Sequence, residues 1–271
     1  MILIFGGTSD SLKLTEVLEK EGYDYLLSVA TTFGKALAIK KVSELGTGDE
    51  ANPNLADRKV LEGRLDQEAM KKLIVDRDIK LILDATHPYA IEVSKNAMAV
   101  AAQMEIPYIR YERPSLLEAV RGEHVYIVKD NKEACQVANS LGKNIFLGTG
   151  SKTLGEFVVG LKDKKIIARV LPTSEVILQC EALGLTPENI VAMKGPFSEE
   201  MNAALYKHYE IDCMITKESG AEGGFLEKVE ACKVQGIDVI VIKRASLDYS
   251  QVIHSEETLI EILRDLEGEK R

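Results

Sequence analysis

The residues best suited to ligand chemistry stand at the start of the chain. The apolar run Met1–Phe5 leads directly into Gly6, Gly7, Thr8 and Ser9, and a helical pattern follows. A glycine turn between a strand and a helix exposes backbone N–H groups, and the helix dipole adds to their attraction for an anion. The sequence therefore predicts a phosphate-binding loop at these four residues.

This motif departs from the G-x-G-x-x-G dinucleotide fingerprint. Thr8 and Ser11 stand in place of the second and third glycines. Hydroxyl groups can bond phosphate directly, which favours a binding loop. The competing interpretation is a plain strand-to-helix turn in which Ser9 or Asp10 caps the helix. The loop alone does not decide between the two.

The end of the second predicted strand bears on cofactor choice. The segment from Ser28 to Lys35 has three hydroxyl side chains and a lysine but no carboxylate. Sites for NAD usually carry Asp or Glu here to bind the ribose diol, so this pattern favours NADPH over NADH. A threonine-rich helix cap is the competing interpretation for Thr31 and Thr32. The predicted cofactor contacts in this segment are Ser28, Ala30, Thr31 and Thr32.

A third cluster follows the predicted strand Leu81–Ala85, whose carboxyl end lies where open α/β sheets bind ligands. We expect this strand to neighbour Met1–Phe5 and to bring the cluster beside the glycine loop. Pro88 fits the first turn of a helix, with Thr86 or His87 as its cap. A single histidine here is more often structural than catalytic. The predicted cofactor contacts are Asp84, Thr86, His87, Pro88 and Tyr89.

The elements that must position these residues alternate between strand and helix. Such alternation predicts an α/β fold with mainly parallel sheets. The pattern runs twice, so we expect two Rossmann-like domains, residues 1–118 and 119–271, with a hinge near Ser115–Glu123. The first is expected to bind NADP and the second the substrate. A strand near either border can pair with the other domain, which the sequence leaves open. The predicted strands are Met1–Phe5, Tyr25–Ala30, Leu81–Ala85, Pro107–Tyr111, Val125–Val128, Asn144–Leu147, Ile166–Val170, Ile190–Met193, Cys213–Thr216 and Val239–Ile242.

Composition excludes several classes of protein. The chain has 271 residues, of which 45% are hydrophobic, and no apolar run approaches the roughly 18 residues of a membrane helix. A net charge of -9 argues against nucleic acid or a membrane surface as partner. Four cysteines and four histidines are scattered without metal-ligand spacing, so no metal is expected. The start of the chain lacks a basic leader, which favours a cytoplasmic location.

Several blocks of sequence together resemble the precorrin-6A reductase family, including its cobalt-precorrin-6A reductase branch. One departure is Lys194, where family members often carry arginine; charge is kept and bidentate geometry is lost. The matching blocks are Ile4–Asp10, Ser28–Thr31, Asp84–Ala90, Arg110–Pro114, Gly148–Lys152, Arg169–Pro172, Lys194–Ser198 and Thr216–Gly220.

The resemblance implies an oxidoreductase acting on a CH–CH group, built from two Rossmann-like domains with a cleft between them. Members use NADPH or NADH to reduce the C18–C19 double bond of a tetrapyrrole, giving precorrin-6B or its cobalt form. The implied partner is thus a small tetrapyrrole, and the chain is expected to be a monomer or homodimer.

Such a reduction needs a general acid and anchors for a polycarboxylate. Lys217, at the end of the strand Cys213–Thr216, is the predicted proton donor, since burial lowers the pKa of a lysine. An equal alternative is that it only pairs with a substrate carboxylate. The glycine turn at Gly148 can also be read as a second nucleotide loop, and any single basic residue as a solvated surface charge. The predicted substrate-binding residues are Arg110, Arg113, Gly148, Thr149, Gly150, Ser151, Lys152, Arg169, Lys194, Ser219 and Gly220.

Two other functions remain open from the residues. One is an NADPH-dependent reductase of another small substrate. The other is a module that senses NAD(P)H without turnover, which needs the first glycine loop but not the basic residues of the second half. The chain has no Tyr-x-x-x-Lys pair, so a short-chain dehydrogenase is excluded.

Overall fold

A computed structural model describes residues 1–45, 53–220, 223–244 and 247–268. The chain divides into two compact units. The first unit comprises Met1–Pro114 together with Ala245–Arg271, and the second comprises Ser115–Arg244. Within the described ranges, no helix is long and apolar enough to cross a membrane.

The first unit is a six-stranded parallel sheet with helices; elements are numbered along the chain. Its strands are β1 (Ile2–Phe5), β2 (Tyr25–Val29), β3 (Val60–Glu62), β4 (Leu81–Asp84), β5 (Tyr108–Tyr111) and β12 (Val252–Ile253). Its helices are α1 (Ser9–Lys20), α2 (Thr32–Leu45), α3 (Pro53–Arg58), α4 (Gln67–Asp76), α5 (Ile91–Gln103) and α12 (Glu256–Gly268). The sheet order is β12-β5-β4-β1-β2-β3.

The second unit repeats this design. Its strands are β6 (Val125–Val128), β7 (Asn144–Leu147), β8 (Lys165–Val170), β9 (Ile190–Ala192), β10 (Cys213–Lys217) and β11 (Asp238–Ile242). Its helices are α6 (Leu117–Val120), α7 (Asn131–Ser140), α8 (Leu154–Gly160), α9 (Ser174–Ala182), α10 (Glu199–His208) and α11 (Phe225–Lys233), with a 3₁₀ turn at Pro187–Asn189. The sheet order is β6-β11-β10-β7-β8-β9, again all parallel.

Apolar residues on both faces explain why these runs form central strands. In β1, Ile2 and Ile4 pack into one core cluster, while Leu3 and Phe5 pack into another. Alternate side chains of a strand point to opposite faces, so the two clusters lie on opposite sides of the sheet. A strand covered on both faces needs a continuous apolar run. The predicted α/β class with two Rossmann-like sheets is confirmed.

Each sheet has a point where the strand order reverses, and loops at such points bind ligands in open α/β folds. In the first unit, β1 lies between β2 and β4, with Phe5 opposite Asp84. In the second, β7 lies between β8 and β10, with Phe146 opposite Met214. The loops after β1, β4, β7 and β10 are therefore the places to look for a site.

The structure corrects the predicted division of the chain. β12 pairs with β5, with Val252 opposite Arg110, and Leu259 and Leu263 of α12 pack into the core of the first unit. Assigning everything after residue 118 to the second domain was wrong, because β12 covers an edge of the first sheet that would otherwise stay unpaired. The boundary itself lies four residues earlier than expected, after Pro114.

Candidate functional site

The glycine loop after β1 needs each glycine for a different reason. A Cβ on Gly6 would lie 2.6 Å from Leu27 Cδ1 and 2.7 Å from Ser11 Oγ, so the backbone here approaches its neighbours too closely for a side chain. Gly7 has φ +102°, a conformation that favours glycine, and its missing Cβ leaves open space. The loop is thus a tight turn with an uncovered surface.

Two hydroxyl groups hold this loop together. Thr8 is the N-cap of α1: its Oγ1 accepts from Ser11 N at 3.1 Å and donates to Ala85 O at 2.8 Å. Ser11 is fully buried and donates to Thr8 O at 2.8 Å. The prediction that Ser9 or Asp10 caps the helix was wrong. The residues that replace two glycines of the fingerprint stabilise the turn, which leaves backbone N–H groups and the helix N-terminus to attract an anion.

Arg113 lies beside the glycine loop. Its guanidinium forms an ion pair with Asp10 and donates to Ser9 Oγ at 3.2 Å. Since a carboxylate in the first turn of α1 would repel a bound phosphate, this pair neutralises a charge that would weaken the loop. The structure therefore places Arg113, a predicted substrate anchor, with the predicted cofactor residues.

The residues after β2 are occupied by local bonds. Ser28 is buried in β2, and its carbonyl accepts from Gly6 N at 2.9 Å. Thr31 Oγ1 accepts from Gly34 N at 3.1 Å, so Thr31 caps α2, as the competing interpretation proposed. Ala30 is exposed beside it.

A carboxylate that sequence reasoning missed lies at this end of the sheet. β3 places Glu62 opposite Val29, and Thr32 Oγ1 donates to Glu62 Oε1 at 2.5 Å. Lys35 pairs with Asp57 at 2.8 Å. The expectation of a segment without acidic neighbours fails because β3 has three residues, too few for a periodic signal in the sequence.

Asp84 is the centre of a buried hydrogen-bond network. Its side chain is 0% exposed. Oδ1 accepts from Thr86 N at 3.0 Å, Thr86 Oγ1 at 2.7 Å and Arg110 Nη1 at 2.7 Å, while Oδ2 accepts from Ser94 Oγ and Tyr108 OH, both at 2.6 Å. We name these five residues the Asp84 network. Burial alone would raise the pKa of Asp84, but the Arg110 charge and these hydrogen bonds hold it below its ordinary value.

Arg110 has a different role from the one predicted. It is 1% exposed and also donates to Thr86 O at 3.0 Å and to Glu112 Oε1 at 3.0 Å, with the Tyr249 ring 5.5 Å away. In this conformation its guanidinium does not reach an external carboxylate. Asp84 and Thr86, predicted cofactor contacts, are likewise buried and shape the loop from within.

The surface of that loop is formed by His87, Pro88 and Tyr89. His87 is exposed, and its ring centroid lies 5.5 Å from that of Tyr89. Because α5 begins at Ile91, Pro88 stands in the turn before the helix, and the expected cap by Thr86 or His87 was wrong. The Thr8 bond to Ala85 O ties this loop to the glycine loop, which confirms that the two strands are neighbours.

In the second unit, the loop after β7 also turns on glycine. Gly148 N donates to Ile215 O at 2.8 Å, and Gly150 has φ +76°. Thr149 is buried, and its Oγ1 has no hydrogen-bond partner in the described part of the chain. Ser151 O accepts from Gln179 at 3.1 Å. Lys152, at the end of the loop, is exposed.

Lys217 ends β10 beside this loop. Its side chain is half-buried, and Nζ donates to Thr153 Oγ1 at 3.4 Å. Burial lowers the pKa of Lys217; the Glu156 charge opposes this shift and the Lys152 charge adds to it. The direction is the one expected of a proton donor that works near neutral pH.

A cavity of about 350 Å³ opens at the carboxyl ends of β7, β8 and β9; we name it the Arg169 cavity. It combines two cations with glycines and an apolar wall. The residues that line it are Gly148, Gly150, Arg169, Val170, Leu171, Met193, Gly195, Pro196, Phe197, Gly223 and Lys228.

Arg169 is held rigidly in this cavity. It is 7% exposed, and Nη1 donates to Asn202 Oδ1 at 2.7 Å. The guanidinium lies 4.3 Å from the Phe197 ring centroid and 5.1 Å from that of Phe146. The Asn202 amide nitrogen donates to Ser198 O at 2.8 Å, which fixes the oxygen toward Arg169. Burial lowers the pKa of Arg169.

Lys228 is the residue that sequence reasoning missed here. It is 8% exposed, and Nζ donates to Gly223 O at 2.8 Å and to Ser219 Oγ at 3.4 Å. Burial, with a smaller contribution from Arg169, lowers its pKa to about 8, against the Glu227 charge. The signal was present: Lys228 shares the i, i+3, i+4 and i+7 stripe of α11 with the buried Phe225 and Cys232.

The remaining predicted substrate residues border this region. Lys194 is exposed, and it stands between Met193 and Gly195, which line the cavity. Ser219 contacts Lys228 as above, and Gly220 has φ +73°. Across the described ranges, no group of three or more His, Cys, Asp or Glu side chains is placed to hold a metal ion.

The chain is similar to known proteins along its length. The family model "Precorrin-6x reductase CbiJ/CobK" matches residues 1–264. The cobalt-precorrin-6A reductase of Priestia megaterium is 40% identical over 266 residues, covering 97% of this chain and 98% of the relative. That of Methanocaldococcus jannaschii is 37% identical over 268 residues, covering 98% of each chain.

A solved structure supports the fold. The CobK precorrin-6A reductase is 21% identical, with a TM-score of 0.74, and the match covers 97% of this chain and 96% of that one. At this identity the likeness bears on the fold alone. With the family model spanning nearly all residues, the chain belongs to the precorrin-6x reductase CbiJ/CobK family.

Proposed function

We propose that this chain uses NAD(P)H to reduce the C18–C19 double bond of precorrin-6A or cobalt-precorrin-6A, giving the corresponding precorrin-6B in cobalamin biosynthesis. The observation that carries the proposal is the near full-length match to relatives named cobalt-precorrin-6A reductase. The predicted alternatives, a reductase of another substrate and a sensor without turnover, do not account for that match.

The first unit fits a nicotinamide dinucleotide. The open space left by Gly7, the N-terminus of α1 and the neutralised Asp10 suit a pyrophosphate. We propose that the surfaces of Gly6–Ser9, Ala30–Thr32 and His87–Tyr89 hold the cofactor, whose reduced nicotinamide supplies the hydride. The buried Asp84 and Thr86 orient the third of these surfaces.

Cofactor preference depends on Glu62. Thr31, Thr32 and Lys35 were expected to favour NADPH, yet Thr32 bonds Glu62 and Lys35 bonds Asp57. A carboxylate can accept hydrogen bonds from a ribose diol but repels a 2′-phosphate. We therefore propose that NADPH and NADH both serve as donors, with Glu62 setting their ratio against the basic Lys35.

The second unit supplies the cations that a polycarboxylate needs. A tetrapyrrole of this pathway carries acetate and propionate groups, and the ends of β7, β8 and β10 present Lys152, Arg169 and Lys217. Hydride addition to a conjugated bond requires one proton as well. We propose that Lys217 donates this proton, because it is a half-buried lysine whose pKa is lowered in a loop of partly buried polar groups.

An anaerobic assay tests the function. The purified chain is mixed with NADPH or NADH and with precorrin-6A, with and without cobalt, and dinucleotide oxidation is followed by its absorbance. We expect oxidation with at least one tetrapyrrole form. No oxidation with either form and either dinucleotide would contradict the proposed function.

The same assay with Lys217→Ala separates an enzyme from a sensor. An enzyme loses turnover while its dinucleotide Kd is unchanged. A sensor has no turnover to lose, so wild type and Lys217→Ala would show the same absence of dinucleotide oxidation.

A further inference from the structure

We propose that Arg169 and Lys228 together bind one ionised carboxylate side chain of the tetrapyrrole at the Arg169 cavity. This inference rests on the proposed function, because it takes the substrate to be a polycarboxylate. It adds a residue, Lys228, that neither the motifs nor the comparisons assign.

The first argument is the charge balance of the cavity. Arg169 and Lys228 are both more than nine-tenths buried, and their partners are neutral: the Asn202 amide, the Gly223 carbonyl and the Ser219 hydroxyl. In the part of the chain that the structure describes, no carboxylate oxygen lies within 4.0 Å of either cation. Burying two positive charges is costly unless an anion compensates them.

The second argument is that this chain does compensate a buried cation elsewhere. Arg110 is equally buried and has two carboxylates, Asp84 at 2.7 Å and Glu112 at 3.0 Å. The fold thus has the means to neutralise an arginine that serves structure only. Arg169 and Lys228 lack such partners and line a cavity, which is the arrangement that receives an anion from solution.

The third argument identifies the anion as a carboxylate on a large apolar body. The wall beside the two cations is formed by Leu171, Met193 and Pro196, with Leu171 54% exposed. A volume of about 350 Å³ accepts one side-chain arm and a ring edge but not a whole macrocycle. A nucleotide phosphate would gain nothing from the apolar wall, whereas a tetrapyrrole edge packs against it.

The test uses uroporphyrin III, a stable tetrapyrrole with acetate and propionate arms. Its binding is followed by fluorescence anisotropy at pH 7 and low salt for wild type, Lys228→Met and Arg169→Met. Lys233→Met is the matched control, because Lys233 lies on the same helix but is exposed and pairs with Glu230 at 2.8 Å. We expect Kd to rise at least tenfold for Lys228→Met and for Arg169→Met, and to stay within twofold for Lys233→Met.

Two further variants and a competitor guard against misinterpretation. Lys228→Arg keeps the charge and is expected to bind within about threefold of wild type. Lys228→Met removes a buried charge while keeping the apolar stem, so its Tm is expected to be equal to or above that of wild type. Inorganic pyrophosphate is added as competitor, and no displacement is expected at concentrations that saturate the dinucleotide loop.

Three results would overturn the inference: no porphyrin binding by wild type, unchanged Kd in Lys228→Met, or displacement of the porphyrin by pyrophosphate. The last would assign the cavity to a phosphate. Failure of the proposed function is recognised separately. If Lys228 and Arg169 control porphyrin binding while precorrin-6A causes no NAD(P)H oxidation, the carboxylate site stands and the reductase does not. Turnover with an unchanged tetrapyrrole KM in Lys228→Met would support the reductase and remove Lys228 from its substrate site.

Discussion

Two buried arginines, one in each unit, are treated in opposite ways. Arg110 on β5 is surrounded by Asp84, Glu112 and the Thr86 carbonyl, so its donors are satisfied within the first unit. Arg169 on β8 is stacked by Phe197 and bonded by a neutral amide, with no carboxylate beside it among residues that the structure describes.

The difference separates two uses of a buried charge. A paired cation fixes the shape of a loop, here the segment that carries His87 and Tyr89 next to the glycine loop. An unpaired cation at a cavity keeps its attraction for an incoming anion. Because breaking a buried ion pair leaves an uncompensated charge, the two arginines should respond differently to the same kind of substitution.

The largest effect is expected from Asp84→Asn. The change leaves Arg110 buried beside a neutral amide and alters five hydrogen bonds, so the free energy of unfolding should fall by about 3–5 kcal/mol. Denaturant titration followed by circular dichroism measures it. Asp76→Asn is the control, since Asp76 is exposed and pairs only with Lys72 on the same helix; its effect should stay within about 0.5 kcal/mol. A loss under about 1 kcal/mol for Asp84→Asn would show that the Asp84 network is not what holds this loop.

Lys217→Gln tests whether a partly buried cation can serve chemistry rather than binding. If Lys217 is the proton donor, kcat falls by about 10²–10⁴-fold while KM for the tetrapyrrole changes little. Anaerobic steady-state kinetics separate the two constants, and Lys165→Gln, at the exposed start of β8, serves as control. A raised KM with kcat retained would instead make Lys217 a carboxylate anchor.

The pH dependence of anion binding sharpens the contrast between a paired and an unpaired cation. The pKa of Lys228 is lowered to about 8, and Arg169 and Glu227 are the charged groups that act on it. Below pH 8 the lysine is protonated and the anion binds; above pH 8 the ammonium is lost. Uroporphyrin III affinity should thus be constant from pH 6 to 7 and fall about tenfold per unit well above pH 8.

Lys228→Arg supplies the control, because a guanidinium stays charged over this range. Its affinity should not fall between pH 8 and 9.5. Equal pH profiles for wild type and Lys228→Arg would show that another group controls the loss of affinity.

The smallest effect is expected at Glu62, a charge nearer the surface. Glu62→Gln should raise the ratio of kcat/KM for NADPH to that for NADH by about three- to tenfold, since the carboxylate no longer repels a 2′-phosphate. Glu68→Gln, an exposed residue of α4 paired with Lys71, should leave the ratio unchanged. An unaltered ratio in Glu62→Gln would remove Glu62 from the cofactor site.

The fold was largely readable from the sequence because its central strands are continuous apolar runs. Ten strands lie within about one residue of their predicted ends. The two that were missed, β3 and β12, have three and two residues, and pairing with a neighbouring strand defines them rather than any local pattern. Missing β12 led directly to the wrong assignment of residues 245–271.

The site was readable only in part, for a related reason. The glycine loop and the Asp84 block were placed together correctly, since parallel strands end at the same edge of a sheet. Whether a basic residue faces a ligand or a carboxylate depends on contacts between distant segments. Arg110 was therefore assigned to substrate although Asp84 and Glu112 hold it, and Lys228 was passed over within an ordinary amphipathic helix.

The central claim, reduction of a tetrapyrrole by a nicotinamide hydride, is tested most directly by isotope transfer. The chain is incubated anaerobically with precorrin-6A or cobalt-precorrin-6A and with dinucleotide carrying deuterium at C4 of the reduced nicotinamide, in ordinary water. The account predicts a reduced product with one deuterium, bound to C18 or C19, for one of the two C4-labelled forms. A reduced product without deuterium from either form, or no reduced product at all, would contradict it.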